Sequence, residues 1–340
     1  MQPPFANQPN NNYICKKTSG VKETKSTFKK YSGLFFLVIG ILILSVLIYF
    51  LDIKVILESF SLLGYQIFLV FIPAIFWIMA NTMCLSTLLQ HKIPFPNLLF
   101  NQVTGDAYNV ITPFAGLGGE PYKMKHLTNW VSLNEASEAI LRDRLIHSLS
   151  GITYTSFTLL AVVVLIPLEK AFFITFTTVG LVLLGFAAIL SFIILSSAPN
   201  KYFGVIMKKL KLLEDYRSNP LSKITFLKAW CFKMIGRLLN MVEFLVIFIL
   251  LGMQPDLIEI ITISAMLSLS GTLLFIIPQG IGVNEAGISG AFNLIGYPLE
   301  LGLTFGLIRR ARVIFWALLG VGLHVGYLFF KKRKHLFKVS

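Results

Sequence analysis

ITPFAGLGGEPYKMKHL, residues 111–127, interrupts a chain that otherwise reads as apolar helix. Pro113, three glycines and Glu120 fall within it, a composition that suits neither a regular membrane span nor an ordinary short turn. Glu120 stands seven residues after Pro113, and the spacing recurs in IIPQGIGVNEAGISGAF, residues 276–292, where Glu285 stands seven after Pro278. Beyond each glutamate an arginine cluster opens the next apolar run: Arg142, Asp143 and Arg144 in one case, Arg309, Arg310 and Arg312 in the other. Glu120 to Arg144 and Glu285 to Arg309 are both 24 residues, an offset between halves of 165 that also carries Leu62 onto Leu227.

Around these stretches the composition is that of an integral membrane protein. The chain is 55% hydrophobic and only 14% charged, with a mean hydropathy of +0.75. Runs near or above the roughly 20 residues needed to cross a bilayer are Gly33–Leu51, Leu62–Leu89, Ile146–Pro167, Ala171–Ala198, Ile224–Gly252, Leu257–Ile277 and Val313–Phe330. None alternates with period two, which excludes a β-barrel pattern. The net charge of +14 sits at the edges: residues 1–32, 200–223 and 331–340 carry +5, +4 and +5. Basic segments beside spans are retained in the cytoplasm, so the charge argues for topology and against nucleic acid.

Both tails (1–32 and 331–340) and the linker 200–223 are therefore expected inside, with one transmembrane domain over 33–330. The first apolar run follows about 32 polar residues and lacks a small-x-small cleavage site, so it reads as an anchor. Counting spans from a cytoplasmic N-terminus closes only if residues 98–120 and 276–292 each enter and return on one side. The expectation is an all-α polytopic protein of about six full spans plus two re-entrant hairpins. Repeat 1 covers about 62–167 and repeat 2 about 224–330, in inverted topology. Broken segments at corresponding positions of inverted halves are where transporters build their sites; here the breaks are Pro113, Gly118 and Gly119, and Pro278, Gly280 and Gly282.

The residues expected to bind substrate follow from the cost of charge in hydrocarbon. Glu120 and Glu285 lie at what should be half-helix N-termini, where free N–H groups favour negative charge; each either contacts substrate or caps its helix and holds an arginine. Arg142, Arg144, Arg309 and Arg312 offer forked donors that suit a lipid phosphate. Lys233 and Arg237, four apart within one span, share a face extended by Asn240, with Glu243 on the same helix. Arg310 and Lys228 read as snorkelling residues, and Lys123 as part of a solvated face with Glu120 in reach. Asn101, Asp106, Asn109 and Asn284 could line a wet cleft. An arginine cluster at an outward-facing position runs against the positive-inside bias, so either the last span begins earlier than Val313 or a site holds the charges.

No zinc helix, Walker loop, nucleophile elbow or dinucleotide fingerprint occurs. Cys15, Cys84 and Cys231 lack metal-like spacing and read as fillers plus a tail thiol. No metal or cofactor is expected.

TPFAGLGGE with its following RDR, and IPQGIGVNEA followed by LIRR, resemble the flippase-like membrane domain of bacterial lysylphosphatidylglycerol synthases, which also occurs as stand-alone proteins. The resemblance covers roughly 62–330. It implies a helical fold with re-entrant elements, in the inner membrane, that moves or handles lipids. It carries over onto Pro113, Gly118, Gly119, Glu120, Arg142 and Arg144, then Pro278, Gly280, Gly282, Glu285 and Arg309. The synthases continue into a soluble catalytic domain; this chain ends ten residues after its last helix, so it is not expected to make lysyl-lipid. The expected partners are membrane lipids with an anionic head group, and an envelope-biosynthesis enzyme is a further candidate. The expected function is translocation or handling of a phosphate-bearing lipid; the alternatives are a membrane-embedded glycosyl or lipid transferase and a non-catalytic accessory subunit.

Overall fold

A computed structural model describes residues 64–112, 118–195, 221–273 and 277–336. The first expected span, the N-terminal tail, Pro113, most of the basic linker and the last residues of the C-terminal tail lie outside the described residues. Every regular element among those described is helical. A 3-10 turn, Gly64–Val70, runs into α1 (Phe71–Leu88); α2 (Phe95–Ile111), α3 (Glu120–Leu127), α4 (Leu133–Leu165) and α5 (Lys170–Leu195) follow. After the linker come α6 (Lys223–Leu250), α7 (Leu257–Leu273), α8 (Val283–Leu294) and α9 (Leu299–Leu336).

Local chemistry sets the boundaries. Ser132 and Ser222 cap α4 and α6 by accepting the N–H of Glu135 and Thr225, at 3.2 and 3.1 Å. Proline in the first turn starts α2 and α3, where its missing N–H has no partner to lose.

Two boundaries differ from expectation. Residues 133–144 and the following span form one helix of 33 residues, because nothing between Leu133 and Leu165 breaks it. The last helix begins at Leu299, so Arg309, Arg310 and Arg312 lie well inside it instead of at its start. Among the described residues, four helical segments are long and apolar enough to cross a membrane: Gly64–Leu88, Leu133–Leu165, Lys170–Leu195 and Leu299–Phe329. The 28-residue α6 has comparable length, about 42 Å at 1.5 Å per residue, but carries Lys228, Lys233, Arg237 and Glu243. The 17-residue α7 is apolar and shorter.

The packing exchanges elements between halves. The 165-residue offset relates α1 to α6, α2 to α7, α3 to α8 and α4 to α9. In space α2 lies along α9 and α7 along α4; α3 packs on α4 and α8 on α9; α1 pairs with α6. One apolar core gathers Phe244, Phe248, Phe292 and Phe305, with Phe248 and Phe292 stacked at 5.4 Å. Another surrounds Cys84, Leu85, Leu127 and Ile140. Between the helices that join the halves the interior turns polar.

Candidate functional site

Each break delivers a glutamate to the first turn of a helix. At the first, Gly119 presses against α2, where an added Cβ would come 1.9 Å from the carbonyl oxygen of Gly105, so no side chain fits. The Gly119 N–H donates to Asn109 Oδ1 at 2.7 Å, and Asn109 Nδ2 donates to Glu120 Oε1 at 3.1 Å. Arg144 closes on the same oxygen at 2.6 Å. At the second break Gln279, Gly280 and Gly282 have positive φ of 55°, 58° and 78°, which glycine adopts freely and glutamine does not. Glu285 Oε2 accepts the Gly282 N–H at 2.8 Å, and Oε1 accepts Arg310 at 2.6 Å. Arg310 also donates to the carbonyl oxygens of Gln279 and Gly280, at 3.1 and 3.4 Å.

Arg310 thus braces the break, which corrects its reading as a snorkelling residue: a helical neighbour one position along turns about 100°, and only position 310 reaches Glu285. Its equivalent-by-offset neighbour, Arg309, turns instead to Glu243 on α6, at 3.3 Å, and lies over the Phe244 ring at 4.9 Å. Arg312 reaches the same carboxylate oxygen at 3.0 Å. Glu243 is completely buried.

The other charged residues pair off. Lys123 is buried against Asp106 at 2.8 Å, a correction to its expected solvated face; Asp106 also accepts from Gln102 at 2.8 Å. Lys233 is buried between Asp143 at 2.8 Å and Asn81 at 2.9 Å. Arg142 pairs with Glu138, one turn back on α4, at 2.5 Å. Burial of charge is costly unless it is paired, and these pairs meet that requirement.

Arg237 is different. From near the middle of α6 its guanidinium donates to the His147 carbonyl at 3.2 Å, and no carboxylate reaches it among the described residues. Asp106, Glu120, Glu138, Asp143 and Glu285 each hold one cation, while Glu243 serves Arg309 and Arg312 together. Among the described residues, two positive charges in this interior are therefore unmatched.

They face open space. A chamber of about 790 Å³ lies between α4, α6 and α7, with Leu183 and Phe186 of α5 on its rim. A second, of about 450 Å³, lies between α1, α2 and α9 and includes Asp106, Trp77, Trp316 and Arg312 in its wall. Both have Arg144, His147, Arg237, Asn240, Asn284 and Arg309 as lining, so these six form the polar plate where the chambers adjoin. Their volumes suit a head group with part of its chains. The two breaks meet at the edge of the second chamber, where Gln279 Nε2 donates to the Asn109 carbonyl at 2.6 Å.

Of the residues expected to bind substrate, Arg144, Arg237 and Arg309 are brought together, with Arg312 beside them. Glu120, Glu285, Arg142 and Lys233 line neither chamber. His147 and Gln279 were not singled out as site residues. His147, three residues after the RDR cluster and beside Ser148, carried no distinctive spacing, while Gln279 was hidden inside the break motif.

The family model for the Lysylphosphatidylglycerol synthase TM region matches residues 37–322, and the chain belongs to that family. No curated protein and no solved structure matches. The chain is a multi-pass membrane protein related to proteins of lipid modification.

Proposed function

We propose that this protein is a flippase-like membrane protein of the bacterial inner membrane that translocates or otherwise handles a phosphate-bearing lipid. The observation that carries the reading is Arg237, a guanidinium that no carboxylate reaches among the described residues, at the junction of two chambers walled by apolar helices. Such a fork binds phosphate in a dry cleft far more strongly than in water. Arg144 and Arg309 flank it as additional donors, and acyl chains would lie along the apolar walls. Glu120 and Glu285 act in this reading through the arginines they hold, as positioning residues.

The exchanged packing supports an inverted repeat with re-entrant breaks, and the basic tails support cytoplasmic termini. The first chamber lies between α4 and α7 and the second between α9 and α2, pairs that the 165-residue offset interchanges. In an inverted repeat such chambers open to opposite sides, and rocking one repeat against the other would expose the plate to each in turn. The test is reconstitution in liposomes with labelled glycerophospholipids and polyprenyl phosphates. Accelerated translocation of a phosphate-bearing lipid, lost in Arg237→Gln, is expected; no acceleration of any lipid by folded protein overturns the reading. Lipid analysis of a deletion strain separates a transferase, whose loss removes a product, from a translocase, whose loss misplaces one.

A further inference from the structure

We infer that the head group this site selects is a phosphomonoester, a dianion with no cationic substituent, and that an aminoacylated lipid is rejected; this rests on the reading of the chambers as a lipid site. Among the described residues the interior has two unmatched positive charges: Arg237, which no carboxylate reaches, and one of the two arginines that share Glu243. Arg237, Arg309 and Arg312 all line the second chamber. In a low-dielectric cavity a bound ion is retained best when it cancels the fixed charge around it.

A phosphodiester brings one negative charge and leaves one guanidinium uncompensated. A phosphomonoester, whose second proton dissociates near pH 6, brings roughly −1.5 to −2 at pH 7 and three terminal oxygens, enough to engage two forks at once. A lysyl or other aminoacyl substituent adds an ammonium, which needs a carboxylate. Among the described residues Asp106 is the one acidic side chain lining either chamber, and it is already held by Lys123 and Gln102. Of the carboxylates nearby, Glu120 and Glu243 are taken by arginines and Asp143 by Lys233.

The experiment is equilibrium retention of lipids by the full chain in phosphatidylcholine nanodiscs, read by native mass spectrometry. The probes are phosphatidic acid, polyprenyl phosphate, phosphatidylglycerol and lysyl-phosphatidylglycerol. At about pH 7.5 the phosphomonoesters should be retained about tenfold or more over phosphatidylglycerol, a factor that matches about 1.4 kcal/mol. Lysyl-phosphatidylglycerol should stay at the phosphatidylcholine background. Retention of both monoesters supports recognition by head group; retention of polyprenyl phosphate alone supports it with added selectivity for the chain. Equal retention of phosphatidylglycerol and phosphatidic acid, or lysyl-phosphatidylglycerol above background, overturns the inference.

Arg237→Gln should erase the preference and Arg237→Lys restore part of it. Should Arg237→Gln not fold, the wild-type chain decides by acidification to about pH 5.5, where the monoester reverts toward one charge and the preference should fall several-fold. The charged groups facing the ligand are Arg144 and His147 from α4, Arg237 from α6, Arg309 and Arg312 from α9, and Asp106 from α2 with Lys123 of α3 behind it. Protonating His147 or Asp106 would strengthen anion binding, so a loss on acidification belongs to the lipid; a preference unchanged or increased at low pH overturns the inference. Retention requires no transport. A chain that retains phosphomonoesters and moves no lipid refutes translocation alone, and one that moves lysyl-phosphatidylglycerol refutes this inference alone.

Discussion

At the first break Glu120 is the opening residue of α3 and takes Asn109 and Arg144 on one oxygen; at the second Glu285 is the third residue of α8 and divides its oxygens between the Gly282 N–H and Arg310. The two lie seven residues after a proline in the sequence, yet the helix starts two residues earlier relative to the second glutamate. That shift lets Glu285 cap its own helix. It also changes which arginine is used. Arg144 both pairs with Glu120 and lines the chambers, so the first break is tied to the cavity through one side chain. At the second, Arg310 is absorbed by the break, and Arg309 is released to the chamber wall and to Glu243. One half is coupled to the cavity; the other is braced separately from it.

The largest effect expected from breaking this arrangement is at Glu243, the partner of the released arginine. Glu243→Ala strands two arginines at a completely buried carboxylate position and should cost about 5 kcal/mol, the upper end for removing one member of a buried ion pair. Loss of folded protein on size-exclusion chromatography, or a sharply lowered melting temperature in detergent, checks it.

Next comes the direct contrast between the glutamates. Glu285→Ala removes a helix cap and a buried pair and should cost about 3–4 kcal/mol. Glu120→Ala should cost only about 1–3 kcal/mol, because Arg144 still faces the open space of the chambers. In lipid transport the order should reverse, with Glu120→Ala losing more activity per folded molecule. Equal thermal and transport losses in the two variants would refute the asymmetry.

The glycines sharpen the comparison further. Gly119→Ala drives a Cβ into the Gly105 carbonyl and should cost about 1–3 kcal/mol as an overpacking defect. Gly282→Ala forces alanine to a φ of 78°, a left-handed conformation that costs roughly 1–2 kcal/mol. The smallest effect is expected at the contact between the breaks: Gln279→Ala removes the bond to the Asn109 carbonyl and should cost about 1 kcal/mol. Melting curves of the three variants should rank in that order.

The sequence was informative wherever composition or spacing carried the signal. Apolar runs identified the membrane class, and the paired Pro-Gly-Glu stretches identified the two helix interruptions. The 24-residue interval, read as a mark of the repeat, leads from Glu120 to the arginine it holds, Arg144. It failed at Glu285, where Arg309, Arg310 and Arg312 are equivalent in type and separated by single residues. Helix boundaries failed similarly at Val313: the polar residues that signal a span's end in lipid lie inside a longer helix, satisfied by Glu243 and Glu285 from α6 and α8.

What the sequence by itself determined is that this chain is a helical membrane protein with two matched breaks, each ending in a glutamate whose charge must be paired or wetted at membrane depth. Those are properties of residue type and interval along the chain, which burial and backbone geometry translate directly. Only the tertiary structure decided which arginine each glutamate takes, that Lys233 is neutralised by Asp143, and that Arg237, four residues along the same face, meets no carboxylate among the described residues. These outcomes depend on rotation about a helix axis, where one residue is about 100°, and on charges brought together from helices far apart in sequence. Such balances are set in three dimensions, and the surplus they leave at the plate is the feature from which a function can be argued.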